Sequence, residues 1–209
     1  MPTVVLIRPG CTDFDDQNRI QGSLDLPLNR RGEDQVQGIV RALQDIPIKK
    51  VYTAPCDPAR STAATIGERL NVPVKETDGL RNFDQGLWQG LPLDEVQRKY
   101  PKVFKQWQDS PETICPPQGE TVSDATERLK KMLQKPLKRK ATIALVASEP
   151  MATLVSCVLK GEKPDFSGRG PVNGSNQFVE IIETNGLWPS GKVEESKTTT
   201  EVTGTEVSP

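Results

Sequence analysis

The sequence predicts an α/β fold with a mostly parallel central sheet. First, short and continuously apolar runs, typical of strands buried on both faces, alternate with segments of helical periodicity. Second, 209 residues are enough for one domain with a sizeable core. The charge of the chain bears on its partners: 27 basic and 28 acidic residues leave a net charge of −1. Such a surface attracts neither nucleic acid nor an anionic membrane.

Strands and helices alternate regularly in the first part of the chain. The apolar run 4–7 is followed by Pro9 and predicts a buried strand. Apolar residues at the spacing i, i+3, i+4 and i+7 predict a helix at 31–45. A second helix is predicted with Asp57 as its N-cap and Pro58 at its first position. In chain order the predicted elements are a strand at 4–7, a helix at 31–45, a strand at 50–53, a helix at 57–70 and a strand at 72–76.

The second part begins with a loop-rich segment and ends in a polar tail. Residues 78–119 are rich in Pro and Gly, and we expect them to form an insertion over the site, with short helices within 93–107. The composition after residue 188 cannot bury enough apolar surface to order the chain. We therefore predict one domain at 1–188 and a disordered tail at 189–209. The elements predicted after the insertion are a helix at 121–134, a strand at 141–147, a helix at 151–159 and a strand at 177–182.

The chain contains no histidine. This excludes a phosphohistidine intermediate, a Ser-His or Cys-His nucleophile and a His-ligated zinc. The cysteines lack a Cys-x-x-Cys pair and are expected to be free thiols in a reducing compartment. The N-terminal apolar run is too short for a signal peptide, and no stretch approaches the length of a membrane span. We therefore expect a cytoplasmic protein that contacts neither membranes nor nucleic acid.

Two segments lie where a parallel sheet would place a ligand, because ligands bind beyond the carboxyl ends of such strands. Residues 8–12 follow the first strand and read Arg-Pro-Gly-Cys-Thr. Residues 146–150 end the most apolar strand and read Val-Ala-Ser-Glu-Pro. Further motifs occur in order along the chain: Arg-Ile-Gln-Gly at 19–22, Asp-Leu-Pro-Leu at 25–28, Gly32 with Gln35, the segments 52–63 and 80–91, Gly-Glu-Thr at 119–121 and Asn-Gly-Ser at 173–175.

Together these motifs resemble the histidine phosphatase superfamily over residues 3 to about 182. The resemblance implies a phosphoglycerate-mutase-like, three-layer α/β sandwich with helices on both faces of the sheet. In that family one His is the nucleophile, while two Arg and a second His hold the phosphoryl oxygens. An acidic residue protonates the leaving oxygen.

The residues that carry this chemistry are largely replaced in the present chain. The position of the nucleophile is Pro9, and the position of the second Arg is Pro58. The acid position is Asn82, and the second His position is Glu149. Arg8 is the one residue of this set that remains. Pro9 supplies neither a nucleophile nor a backbone N–H donor.

The resemblance also supplies candidates for ligand binding. Because Arg8 and Glu149 follow adjacent strands, we expect them to form an ion pair that closes the phosphate site. Cys11 lacks an imidazole to activate it, so we expect an ordinary loop thiol. Arg60 lies two residues beyond the replaced Arg, and we expect it to face solvent. The full set of ligand-binding candidates is Arg8, Thr12, Asp15, Gln21, Gly22, Arg60 and Glu149.

These replacements predict a protein that is not an enzyme. It would be a catalytically inactive member of the family with a binding or regulatory role, and its partner would be a protein or a small non-phosphate ligand. A second interpretation is a degenerate phosphatase whose weak or altered phosphoester activity uses Arg8 and residues other than histidine. The sequence predicts no cofactor and no resident metal. A third interpretation is a cation site on acidic side chains, namely Asp13, Asp15, Asp16 and Glu149.

Overall fold

Five strands form one sheet in the computed structural model, which describes residues 2–110, 115–166 and 178–184. They are β1 (Thr3–Ile7), β2 (Lys50–Thr53), β3 (Val74–Glu76), β4 (Ile143–Val146) and β5 (Val179–Glu183). Their order across the sheet is β3-β2-β4-β1-β5. The first four run parallel to one another, and β5 runs antiparallel to β1. The predicted α/β class with a mostly parallel sheet is confirmed.

Helices connect the parallel strands and cover the sheet. Within the described ranges they are α1 (Asp13–Asp16), α2 (Arg30–Leu43), α3 (Ala59–Leu70), α4 (Leu93–Lys99), α5 (Pro101–Asp109), α6 (Val122–Lys138) and α7 (Met151–Lys160). Two 3-10 turns lie at Asp78–Leu80 and Gly86–Trp88. Helix α2 packs on α3, and α6 packs on α7. The arrangement is the α/β sandwich that the resemblance implies.

The central strands β1 and β4 form the middle of the core. All four residues of β4 are buried, as are the last four of β1, which explains why neither run alternates apolar with polar residues. Helix α2 starts at its N-cap Asn29, whose side chain accepts a hydrogen bond from the backbone N–H of Gly32 at 2.8 Å. Its buried apolar face contains Val36, Ile39, Val40 and Leu43, the residues whose spacing predicts the helix.

Helices α3 and α6 differ from the prediction at one end each in ways that involve a proline. Helix α3 begins at Ala59 with Pro58 in the N-cap position, so Asp57 is not the cap. The Asp57 carboxylate nevertheless accepts hydrogen bonds from the backbone N–H and hydroxyl of Ser61, at 3.0 and 2.7 Å. Helix α6 continues through Pro136 to its end at Lys138, beyond the predicted end at residue 134. A proline removes one helical hydrogen bond, and the burial of Pro136 offsets that loss.

The predicted insertion contributes an aromatic cluster to the hydrophobic core of the domain. Trp88 is fully buried, and its ring centre lies 6.1 Å from that of Phe104 and 6.5 Å from that of Trp107. Trp107 stacks on Phe166 with ring centres 5.4 Å apart. These contacts anchor α5 to the domain. The predicted tail at 189–209 and the Asn-Gly-Ser motif at 173–175 lie outside the described residues.

In the described part of the chain, no helix has both the length and the apolar character that a membrane crossing requires.

Candidate functional site

The candidate site lies at the carboxyl ends of β1 and β4. Ile7 and Val146 are register partners at the ends of these strands. Arg8 and Glu149 follow them and reach the same edge of the sheet. Both residues are buried, with 3% of each exposed. The structure therefore brings together the two charged residues that the sequence places at this edge.

Arg8 and Glu149 form a buried ion pair, which confirms the predicted pairing. The Arg8 Nε donates a hydrogen bond to Glu149 Oε1 at 2.6 Å. Its Nη1 donates to Oε2 of Glu180 on β5 at 3.4 Å. Its Nη2 is buried and has no hydrogen-bond partner among the described residues. Among the described residues, the guanidinium therefore has two carboxylate partners and one nitrogen without a hydrogen-bond partner.

Hydrogen bonds from several segments fix the position of Glu149. Its Oε2 accepts from the backbone N–H of Thr153 at 3.1 Å and from the Thr153 hydroxyl at 2.7 Å. Thr153 lies in the first turn of α7, where backbone N–H groups have no partner within the helix. The carboxylate of Glu149 thus joins the positive end of α7 to Arg8.

Glu180 brings a second carboxylate to Arg8. It also accepts hydrogen bonds from Lys160 Nζ and Ser156 Oγ, each at 2.8 Å. Burial by itself would raise the pKa of Glu180, but the hydrogen bonds from Lys160 and Ser156 outweigh it and hold this pKa below its usual value. Because Arg8 and Lys160 are cationic and Glu149 and Glu180 are anionic, the cluster has no net charge.

This charge balance opposes phosphate binding at Arg8. A phosphate dianion at the guanidinium would lie close to Glu149. Two unit charges 4 Å apart interact by about 4 kcal/mol at an effective dielectric constant of 20. The repulsion from one carboxylate is therefore large enough to weaken phosphate binding strongly.

The lowered pKa of Glu180 predicts a loss of stability in acid. The folded state holds the proton of Glu180 less tightly than the unfolded state, in which the pKa is about 4.3. The stabilisation is therefore present above that value and is lost as the pH falls through the lower folded-state pKa. We expect Glu180→Gln to lower the free energy of unfolding more at about pH 7 than at about pH 3.5.

Urea unfolding at both pH values measures this difference. Glu183→Gln is the matched control, because Glu183 is an exposed carboxylate on the same strand. If Glu180→Gln and Glu183→Gln have the same pH dependence, the contacts of Glu180 do not account for the acid sensitivity.

The loop that follows β1 is held by α2 and α3. Pro9, at the position of the nucleophile, is buried. The backbone N–H of Gly10 donates to the Thr62 hydroxyl at 3.3 Å. The backbone N–H of Cys11 donates to the side-chain oxygen of Gln35 at 2.9 Å. Cys11 is buried and is not in a disulfide bond. That it is an ordinary loop thiol stays a prediction.

Thr12 and Asp15, two of the ligand-binding candidates, form hydrogen bonds with each other. The Asp15 carboxylate accepts from the backbone N–H of Thr12 at 2.7 Å and from its hydroxyl at 3.0 Å. The backbone N–H of Asp15 donates in return to the Thr12 hydroxyl at 3.4 Å. This reciprocal pair is a capping box at the start of α1. Both side chains therefore stabilise the turn after the site.

The position of the second arginine does not supply a cation to the buried site. Pro58 is buried at the start of α3. Arg60 pairs with Asp57 at 3.0 Å and with Asp25 at 3.6 Å, and 42% of its side chain is exposed. Burial would raise the pKa of Asp57, but the hydrogen bonds from Ser61 and Arg60 hold it below its usual value. Arg60 is thus a partly exposed residue that is engaged by acidic neighbours.

Asn82 joins three segments of the site. Its side-chain N–H groups donate to the carbonyl of Gly22 at 2.9 Å and to that of Glu149 at 2.8 Å. Its oxygen accepts from the backbone N–H of Met151 at 3.2 Å. Gln21 is buried beside Gly22 and donates to the carbonyl of Asp57 at 3.3 Å. The amide at the acid position therefore positions the Glu149 backbone.

The predicted acidic cation site is not formed. Asp15 belongs to the capping box, and Asp16 pairs with Arg31 and accepts from Asn29. Glu149 is buried against Arg8. Among the described residues, no group of three or more side chains of the metal-binding types is placed to hold an ion. The carboxylates face different partners, which removes the basis of that interpretation.

Sequence reasoning missed Glu180 and Thr153. Glu180 is an acidic residue within the apolar strand β5, and that interruption was the available signal. Thr153 lies four residues after Glu149, one helical turn along α7. Both residues contribute to the site only because the fold brings β5 and α7 against Arg8.

A comparison with known families matches residues 4–187 to the model of the histidine phosphatase superfamily, branch 1. Phosphoserine phosphatase 1 of Hydrogenobacter thermophilus is 27% identical over 186 residues, which cover 88% of each chain. The uncharacterized phosphatase PhoE of Bacillus subtilis is 30% identical over 188 residues, covering 88% of this chain and 90% of the relative. The structure of Bacillus stearothermophilus YhfR aligns with a TM-score of 0.78 at 24% identity, over 89% of this chain and 93% of that one.

These relatives contradict one prediction from the sequence. The replaced residues predict a protein that is not an enzyme, whereas relatives that match along most of the chain are named phosphatases. The physical reason is that the absence of histidine excludes only one route of hydrolysis, the covalent route through a phosphohistidine intermediate. Hydrolysis by water requires no histidine nucleophile. The prediction of a non-enzyme is therefore wrong.

Proposed function

The chain belongs to the histidine phosphatase superfamily, and from this premise we propose that it hydrolyses phosphate esters weakly at Arg8, without a phosphohistidine. The observation that carries the proposal is the buried Arg8 guanidinium at the end of β1, whose Nη2 has no hydrogen-bond partner among the described residues. Arginine donors bind phosphoryl oxygens through charge-assisted hydrogen bonds. The names of the phosphatase relatives support the same class of reaction.

Water is the attacking group in this proposal. Its oxygen forms a bond to phosphorus, the bond between phosphorus and the ester oxygen breaks, and a proton from the water ends on the released alcohol. The Nη2 of Arg8 donates to a phosphoryl oxygen and stabilises the charge that develops there. Because no side chain forms a covalent intermediate, the reaction lacks the usual division into two easier steps. A low rate follows.

Glu149 limits the affinity of this site for phosphate esters. Its carboxylate already accepts a hydrogen bond from Arg8 at 2.6 Å, so an incoming phosphoryl group competes with an internal anion. The second carboxylate, Glu180, adds to that competition. We therefore expect weak substrate binding in addition to slow turnover.

Hydrolysis of p-nitrophenyl phosphate and phosphoserine tests the proposal. We expect the wild-type protein to release phosphate and the double variant Arg8→Met/Glu149→Gln to lose that activity. The double variant removes both members of the ion pair, so no unpaired charge is left buried. The control is Arg31→Met/Asp16→Asn, which removes an exposed ion pair and should retain wild-type rates. If the wild-type protein is no faster than Arg8→Met/Glu149→Gln, the proposal is wrong.

A second candidate is a binding or regulatory function, with a small molecule or a protein as the partner. The observation that favours it is the Arg8–Glu149 ion pair itself, which satisfies the retained arginine without a ligand. The cytoplasmic location expected from the free cysteines belongs to both proposals.

A further inference from the structure

A cleft of about 540 Å³ lies between the edge strand β3 and the second half of α6. Tyr52 of β2 and residues of α6 line it. This volume is within the range of about 300–1,000 Å³ that small-molecule sites occupy. The lining residues are Tyr52, Lys75, Thr77, Asp78, Gly79, Arg128, Lys131, Met132, Gln134, Lys135 and Pro136. None of them belongs to the Arg8 cluster.

The lining of the cleft is cationic, with Asp78 as its one acidic residue. Arg128 is already neutralised, because its Nε and Nη2 donate to Glu120 at 2.6 and 2.8 Å. The remaining cations are three exposed lysines: Lys75, Lys131 and Lys135. Acidic neighbours along the chain are Glu76 and Glu127, and neither forms an ion pair with these lysines in the described residues.

This positive charge is local. The whole chain carries a net charge of −1, so the lysines of the cleft do not reflect a generally basic protein. Three lysines that line one cleft with a single carboxylate favour a ligand with several negative charges. A single carboxylate or sulfate would leave most of that charge uncompensated.

One part of the cleft is apolar. Tyr52, Met132 and Pro136 contribute a ring, a thioether chain and a pyrrolidine to the lining. Lysines beside an aromatic surface suit a ligand that joins a charged chain to a planar or apolar group.

We infer that this cleft binds a small molecule carrying a polyphosphate group, with Lys75, Lys131 and Lys135 on the phosphates. The free polyphosphate chain and a nucleoside triphosphate share this chemistry. The inference is independent of the function proposed for the Arg8 site.

Calorimetric titration of the full chain with tripolyphosphate and with ATP, without divalent metal and at about 0.15 M salt, tests the inference. We expect both probes to bind the wild-type protein and Lys131→Gln/Lys135→Gln to bind them about tenfold more weakly. Lys130→Gln/Lys138→Gln is the matched control. It removes two exposed lysines from the same helix that do not line the cleft, and we expect less than about a twofold change.

A third variant should bind more tightly. Asp78→Asn removes the acidic group of the lining, and we expect about a twofold to threefold gain in affinity for both probes. Tighter binding of ATP than of tripolyphosphate identifies a nucleotide as the ligand, and equal binding identifies the phosphate chain. The inference is overturned if neither probe binds, if the two lysine double variants weaken binding equally, or if single-stranded RNA binds more tightly than both probes.

Discussion

Glu149→Gln is expected to lower the free energy of unfolding by about 3–5 kcal/mol, because it removes the closer carboxylate partner of the buried Arg8 guanidinium and leaves only Glu180, at 3.4 Å. Adding Arg8→Met to the same protein should recover most of this loss, since a buried ion pair can be replaced by apolar groups at little net cost. Urea unfolding of Glu149→Gln, Arg8→Met and the double variant at neutral pH measures the coupling.

Asp16→Asn provides the comparison for an exposed ion pair. Its partner Arg31 is exposed, and such pairs contribute less than about 1 kcal/mol. If the double variant Arg8→Met/Glu149→Gln loses as much stability as the sum of its two single variants, the two residues are not coupled. That result would contradict the assignment of Glu149 as the partner of Arg8.

Gly32→Ala should destabilise the protein by about 1–3 kcal/mol, as overpacking in a tight contact does. Helix α2 lies with its backbone directly against the loop that follows Arg8. A Cβ at Gly32 would collide with the carbonyl oxygen of Cys11, and a Cβ at Gly10 would collide with the carbonyl oxygen of Gly32. These atoms are backbone and cannot move aside without shifting the loop.

Gly38→Ala on the same helix should instead stabilise the protein by about 0.5–1 kcal/mol, as an alanine does within a helix. The nearest atom to its Cβ would be Arg41 Nη2 at 3.9 Å. Thermal and urea unfolding of both variants measure the contrast. A loss of stability in both would show that helix conformation, rather than contact with the loop, decides the outcome.

The sequence predicts well those elements whose buried face is visible in the order of apolar and polar residues within the element itself. Strand β4 is an uninterrupted apolar run, and α2 has its apolar residues on one helical face. Helix α1 has four residues and is too short to show periodicity. Its signal was the capping box formed by Thr12 and Asp15, which reads Thr-x-x-Asp.

The part of the site at the carboxyl ends of the parallel strands could be predicted from the sequence. The Arg8–Glu149 pair follows from the adjacency of β1 and β4. Glu180 requires the antiparallel pairing of β5 with β1, which no local pattern indicates. The motif glycines were recognised from the resemblance, but the reason for them, the contact between Gly10 and Gly32, appears only in three dimensions.

Asn82 has a structural role that the family pattern does not reveal. In the sequence, Asn82 stands at the position of the family's acidic residue, so the pattern indicates that this acid is lost. In the structure its amide holds the carbonyl of Glu149 and the N–H of Met151 together, which an ionised carboxylate cannot do because it has no donor. The absence of histidine likewise excludes a phosphohistidine intermediate but does not exclude direct hydrolysis by water.

A vanadate titration followed by thermal unfolding tests the central claim, that Glu149 competes with an oxyanion for Arg8. We expect vanadate to raise the melting temperature of Glu149→Gln by several degrees above its own anion-free value. A ligand at a hundred times its dissociation constant adds about 2.7 kcal/mol, and each 1 kcal/mol raises the melting temperature of a chain of this size by about 2–4 °C. The wild-type protein should shift much less, and Arg8→Met/Glu149→Gln should not shift. Equal shifts in the wild-type protein and Glu149→Gln would show that Glu149 does not compete for Arg8, and the account would be contradicted.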